Sequence, residues 1–364
     1  MRFSPCLFAS IVLLGTSGAL LRAAEPEKTR AVQTHDYRLW EKVIRDELGP
    51  KLPGGFAYAI VDHGKIVASG AEGYARSPHE KTDPGVRWTL DKPMGLASVS
   101  KTITAVSMLH LWDEKEHGFS LDEPFWPHIR RVVPDCGEAA RKITIRQLLT
   151  HKSGLPHDDA IGDAITPGKI EKLLKEPLAH PPGENYNYDN NNYYLLHLLI
   201  EEISHYSYTN YVKRHVFKPM GIENMETHFE HDRTLCGYND IADKRPGYPF
   251  DWDATPWAGA AGWYGSVDDL IHFMHGLRER TVLSEEATKI LFSDLMGWDC
   301  AAPCYSKGGD WGWETPDTAG SCHSAIMYGP DGVDAVLLIN CKFLKHPAEA
   351  LMDGWTQSKK KAEK

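Results

Sequence analysis

The chain has 364 residues, 42% hydrophobic and 25% charged, with a formal net charge of −10. This is the composition of an ordinary globular protein long enough for one or two hydrophobic cores. The acidic balance argues against nucleic acid as a partner, because phosphate binding needs a basic face, and the terminal Lys359-Lys360-Lys361 run is too short to override it.

Residues 1–24 read as a signal peptide. Arg2 supplies the positive start, Leu7 to Leu21 is mainly apolar, and Ala19, Ala23 and Ala24 offer small-residue cleavage points. The apolar run is too short and too interrupted for a stable membrane span, no later segment reaches that length, and Cys6 sits in no lipobox. The expected location is therefore exported, periplasmic or extracellular. Export leaves Cys136, Cys236, Cys300, Cys304, Cys322 and Cys341, an even number that suggests disulfides.

Asp36 to Leu48 has helical periodicity, and Asp62-His63-Gly64 is a turn signal between two strands, Phe56 to Val61 and Lys65 to Gly70. Next comes Ser98-Val99-Ser100-Lys101, followed by Val99, Ile103, Val106 and Leu109 at helical spacing, with Gly118 as the expected stop. Ser98 then lies in the first turn of a largely buried helix with Lys101 one turn on, and residues three apart have Cβ atoms only about 5–6 Å apart. An amine beside a hydroxyl is an arrangement that can activate serine as a nucleophile. Downstream, Thr144 and Gln147 form a capping-box pattern with Ile143 and Leu148 as its staple. Asn192 to Ser204 carries an apolar helical stripe. The chain returns to strands, ending in Val333 to Asn340, before a last helix near Ala348 to Thr356.

The string Ala97 to Ala105, followed by Gly118-Phe119-Ser120-Leu121-Asp122-Glu123-Pro124, resembles the serine β-lactamase and penicillin-binding protein superfamily. The closest branch is the class C β-lactamases with their D-Ala-D-Ala carboxypeptidase and esterase relatives. Ile143 to Leu155, Pro182 to Asn190 and Ala261 to Leu270 continue the resemblance in order, over roughly Asp36 to Asn340. It implies an α+β, β-lactamase-like fold: an antiparallel sheet built from both chain ends with flanking helices, plus a mainly helical lobe. The expected serine-hydrolase domain is 36–345, with a sheet lobe from 36–90 and 270–356, a helical lobe at about 91–269, and a charged tail at 357–364.

The resemblance also implies roles. Ser98 is the expected nucleophile, Tyr188 its general base and Lys101 the electrostatic partner, although the residues alone leave open which of the two takes the proton. Tyr188-Asp189-Asn190 matches the family's second motif, with Asn190 expected to hold the acyl side of the substrate. The third motif, usually K-T-G or H-T-G, is altered. Its candidates are Lys307-Gly308-Gly309 and His323-Ser324-Ala325, and strand counting favours Lys307, because strands near 304–311, 320–328 and 333–340 would then complete the sheet, whereas His323 leaves only one strand after it. That choice places Gly309 in the motif and the second oxyanion-hole N–H at Asp310, beside the N–H of Ser98. Gly308 lacks the hydroxyl that relatives use to hold a substrate carboxylate. Trp311 and Trp313 are candidates for an acyl-pocket wall, and Cys304 with Cys322 for a disulfide across a hairpin centred near Trp313.

No cofactor or metal is implied: there is no H-E-x-x-H and no zinc-spaced Cys/His pattern, only a loose His228, His231 and Asp232 cluster. The expected function is that of an exported serine hydrolase acting on a small ester, amide or peptide through an acyl-enzyme on Ser98. The alternatives are a cell-wall D-Ala-D-Ala carboxypeptidase or β-lactamase, and a non-catalytic binding protein that keeps the fold. The sequence does not state an oligomeric state.

Overall fold

Both ends of the chain meet in one antiparallel sheet. A computed structural model describes residues 34–48, 54–78, 85–156, 166–229, 236–238, 245–250, 252–342 and 345–359. The leader at 1–24, His231 and Asp232, and the tail beyond Lys359 lie outside the described residues. Strands β1 (Gly55–Asp62), β2 (Lys65–Arg76) and β3 (Val86–Arg87) come from the start of the chain. Strands β4 (Tyr305–Glu314), β5 (Ala319–Tyr328) and β6 (Val333–Ile339) come from its end. The sheet order is β3-β2-β1-β6-β5-β4, so the two ends join where β1 pairs with β6, Phe56 opposite Ile339 and Asp62 opposite Val333.

Side-chain alternation divides this sheet between two cores. Phe56, Tyr58, Ile60, Leu337 and Ile339 face helices α1 (Tyr37–Leu48) and α5 (Pro347–Ser358), which bring Trp40, Ile44, Leu351 and Trp355. Ala57, Ala59, Val336, Leu338 and Ile326 face the other way, into a larger core with α2 (Ser100–Asp113), α3 (Asn190–Ser204) and α4 (Val267–Arg278). A strand buried on both faces reads as a continuous apolar run, which is what Ala335 to Ile339 is, while the buried Asp334 before it is paired with Arg278. The final helix runs to Ser358, two residues into the segment expected to be tail.

Helix α2 is buried on every side, and its polar residues are satisfied internally, as buried polar groups must be. Thr102 Oγ1 donates to the Gly297 carbonyl at 2.6 Å, Thr104 Oγ1 to the Gly259 carbonyl at 2.6 Å, and Ser107 Oγ to the Ile103 carbonyl at 2.8 Å. The helix ends at Asp113 rather than at Gly118, because Lys115 takes up left-handed backbone at φ 59° just after the last turn. The capping box at Thr144 and Gln147 forms as expected.

The β4–β5 hairpin turns later than expected. Trp311 faces Cys322 and Tyr305 faces Tyr328, because the chain reverses at Thr315 to Thr318 and not at Trp313. Cys304 lies just before β4, seven positions along the strand from Trp311, so a Cys304–Cys322 disulfide is ruled out by register. Cys136, Cys300, Cys304, Cys322 and Cys341 are free thiols.

Candidate active site

Ser98 stands on a sharp turn. Ala97 has φ 45°, an uncommon value for a residue with a Cβ, and a short 3-10 turn over Ala97–Val99 then feeds straight into α2. The turn is clamped against the sheet edge. Ser324 Oγ donates to the Leu96 carbonyl at 2.6 Å, and Gly309 lies so close that a Cβ there would run into the Leu96 oxygen and sit 2.8 Å from the Ser98 nitrogen. Gly309 is thus a position where only glycine fits.

The Tyr188 hydroxyl donates to Ser98 Oγ at 2.6 Å. Lys101 Nζ is fully buried, 3.1 Å from Ser98 Oγ, 2.6 Å from Asn190 Oδ1 and 2.8 Å from the Ala260 carbonyl. Burial above all, and then the charge of Lys307, hold Lys101 well below the usual lysine range. Burial raises the Tyr188 phenol, the Ser98 hydrogen bond opposes that, and Asp299, Asp310 and Asp189 add to the rise. This differs from the expected division of labour, in which a cation would favour a phenolate on Tyr188. The Tyr188 ring lies between two amines, with Lys101 Nζ and Lys307 Nζ each 4.9 Å from its centroid.

Lys307 and Asp310 line the same cleft as Ser98, Tyr188 and Asn190, a space of about 330 Å³. His323 stands one strand further in, on β5, where its Nδ1 lies 2.6 Å from Asp310 Oδ1. Strand β4 is the open edge of the sheet. The Ser306 N–H reaches the Cys300 carbonyl at 3.3 Å and the Gly308 N–H reaches Asp299 Oδ2 at 3.0 Å, both away from β5. Alternate residues of a strand direct their N–H the same way, so Asp310 directs its N–H to this open edge too, beside the Ser98 turn.

Three residues of the site were not expected from sequence. Asp299 accepts from Lys307 Nζ at 2.5 Å as well as from the Gly308 N–H. His346 caps α5, its Nδ1 accepting from the Ala348 N–H at 3.2 Å, and its ring fills the space above Gly308, where a Cβ would meet Cε1 at 2.5 Å. His346 Nε2 lies 3.0 Å from Asp310 Oδ2, and that carboxylate raises the imidazole above its ordinary range. Burial pushes Asp310 up, but hydrogen bonds from His323 and His346 outweigh it and keep the group a carboxylate far into acid. His151 packs 4.5 Å from the Tyr188 ring, and its Nδ1 accepts from the Asp189 N–H at 3.2 Å. Burial, then Lys101 and Lys307, keep that imidazole neutral. His151 lies inside a string already singled out by resemblance. Asp299 and His346 carry no local signal, since each gains its meaning from an edge strand or a helix end far away in sequence.

Trp311 and Trp313 do not line this cleft. They pack on each other at 4.3 Å and against Trp252, Tyr248 and Phe250 in a separate aromatic cluster.

The Beta-lactamase family matches residues 41–340. Protein flp of Staphylococcus aureus (strain MW2) is 27% identical over 248 residues, covering 64% of this chain and 47% of that protein. The chain spans about half the length of such curated relatives. Among solved structures, the β-lactamase/D-alanine carboxypeptidase of Yersinia pestis superposes with a TM-score of 0.68 at 18% identity, over 88% of this chain and 98% of its own. EstCE1, described as a hydrolase with promiscuous acyltransferase activity, superposes with a TM-score of 0.67 at 18% identity, over 87% and 98%.

Proposed function

The chain belongs to the Beta-lactamase family, and hence to the serine hydrolases, and from that premise we propose that it acts by acyl transfer through Ser98. The observation that carries this is the hydrogen-bonded row Tyr188–Ser98–Lys101 at 2.6 and 3.1 Å. As a neutral amine, Lys101 gives its two N–H groups to Asn190 Oδ1 and the Ala260 carbonyl and turns its lone pair to the Ser98 hydroxyl. It takes the Ser98 proton as Oγ bonds to the substrate carbonyl carbon. The oxyanion forms against the N–H groups of Ser98 and Asp310, donors whose removal in such sites costs about 2.7–4 kcal/mol each. Tyr188 passes its proton to the leaving oxygen or nitrogen, and the carbonyl re-forms as the acyl-enzyme. The site then holds an ammonium and a phenolate side by side. Water attacks with the Tyr188 phenolate taking its proton, and Lys101 returns a proton to Ser98 Oγ as the acid departs. Tyr188 is therefore the base of the second half-reaction and Lys101 of the first. With its Oδ1 on Lys101, Asn190 offers its amide N–H to the acyl side.

The substrate is a small ester or amide without a carboxylate next to the scissile bond. Gly308 supplies no hydroxyl, His346 occupies the space over it with its ring turned to Asp310, the other partly exposed charges of the cleft are the carboxylates Asp299 and Asp310, and Lys307 is almost fully buried and paired with Asp299. The signal-like pattern at 1–24 supports an exported protein. The test is intact-mass analysis after a fluorophosphonate and, separately, a penicillin, paired with kcat/KM for a neutral aryl ester and a chromogenic cephalosporin. A fluorophosphonate adduct on Ser98 and faster ester turnover are expected. Absence of any adduct on Ser98 favours the non-catalytic alternative, and a preference for the cephalosporin favours the carboxypeptidase or β-lactamase alternative.

A further inference from the structure

Among the described residues, one group of imidazole and carboxylate side chains outside the cleft converges closely enough to hold an ion: His110, Glu114 and His215. His110 is in the last turn of α2 and Glu114 follows it by four residues, so both project from one face of the helix. His215 comes from a π-helical turn over Lys213–Phe217, a backbone form concentrated at functional sites. Its ring is held in place by stacking on Tyr211 at 4.6 Å and by the edge of Tyr206 at 5.7 Å.

The three groups face one another without bonding to one another. His110 Nδ1 is 3.7 Å from Glu114 Oε2, and His215 Nδ1 is 4.0 Å from Glu114 Oε1, both beyond hydrogen-bond reach. The other nitrogen of His215, Nε2, is buried with no hydrogen-bond partner. The Tyr211 hydroxyl is directed at the group, 2.8 Å from His110 Nδ1 and 3.3 Å from Glu114 Oε2. Two imidazoles and a carboxylate at this spacing can converge on one ion. Two ligands held about 2.1 Å from a tetrahedral ion stand about 3.4 Å apart, so the ligand atoms here, all within 4.8 Å of one another, close in by small side-chain rotations when the ion binds.

We propose that His110, Glu114 and His215 form a binding site for a divalent transition-metal ion of the zinc type. Two imidazoles and one carboxylate suit zinc and leave calcium and magnesium, which need several oxygens, poorly served. On binding, Tyr211 turns its proton wholly to Glu114 and orients that carboxylate as an outer partner. The ion fastens the C-terminal end of α2, whose other end carries Ser98, to the π-turn. The site is independent of the catalytic reading, and its test does not use activity.

The full chain, stripped with chelator, is titrated with Zn2+ by calorimetry and with Co2+ by visible absorption. One saturable equivalent at micromolar Zn2+, a four-coordinate Co2+ spectrum and a Tm that rises on binding are expected. His215→Ala and the near-isosteric Glu114→Gln should each weaken binding by more than the roughly 10–100-fold that loss of an outer partner costs. The metal-free Tm of each variant reports whether it folds. Absence of saturable binding, or binding and Tm shifts that survive in both variants, overturns the proposal and assigns any ion to other histidines.

Discussion

Lys101 and Tyr188 illustrate how neighbours, rather than residue type, set chemistry. Neither is a useful base at its ordinary pKa, and the removal of water around Lys101 lowers its pKa and frees its lone pair. This has a signed consequence for the pH profile. The proposed reaction needs neutral Lys101, so kcat/KM is expected to rise with pH as that group loses its proton, with the position of the rise following its pKa. The Lys307 charge lowers that pKa and Asp299 raises it. Lys307→Gln should therefore move the acid limb to higher pH, and Asp299→Asn should move it to lower pH. Stopped assays of ester hydrolysis across pH on both variants provide the measurement, and limbs that shift in the same direction would remove Lys101 from the role of base.

At the level of elements, the edge strand β4 and the first turn of α5 act together. The strand turns alternate N–H groups away from β5, those of Ser306 and Gly308 to Cys300 and Asp299, and the helix delivers His346 into the space that a side chain at Gly308 would otherwise take. Restoring a hydroxyl by Gly308→Thr is therefore not a simple gain of a donor. The new Cβ lies 2.5 Å from His346 Cε1 and must displace the ring from Asp310. Overpacking of this kind costs about 1–3 kcal/mol. Gly308→Thr should lower the urea midpoint, while Gly308→Thr combined with His346→Ala should recover most of the loss. A double-mutant cycle with purely additive terms would show that the two positions do not compete for space.

Across the whole molecule, the described residues from His35 onward form one compact unit, and its closure depends on elements from opposite ends of the chain. Helices α1 and α5 pack so tightly that a Cβ on Gly354 would run into the Trp40 indole. Gly354→Ala should force these terminal helices apart, at about 1–3 kcal/mol. The lower urea midpoint should be accompanied by nearly unchanged kcat for the folded fraction, since neither residue lines the cleft. A loss of kcat without loss of stability would mean that the α1–α5 contact sets the position of His346 instead.

Local patterns in the chain were enough to determine much of this. Periodicity marked α1, the body of α2 and α3, the last strand was legible as an apolar run, the capping box at Thr144 was legible from four residues, and resemblance pointed to Ser98, Lys101, Tyr188, Asn190 and Lys307 and, through Lys307, to the two strands before the last. These features depend on neighbours within a turn or two, or on strings kept intact. What only the tertiary structure decided lies between segments distant in sequence. The turn at Thr315 to Thr318 set the β4–β5 register and with it the separation of Cys304 from Cys322. The burial of Lys101 beneath Ala260 and Asn190, the seat of Asp299 on an open strand edge, and the ring of His346 over Gly308 each require elements brought together by packing. Dielectric, register and shared volume are properties of the assembled fold, and no window of sequence contains them.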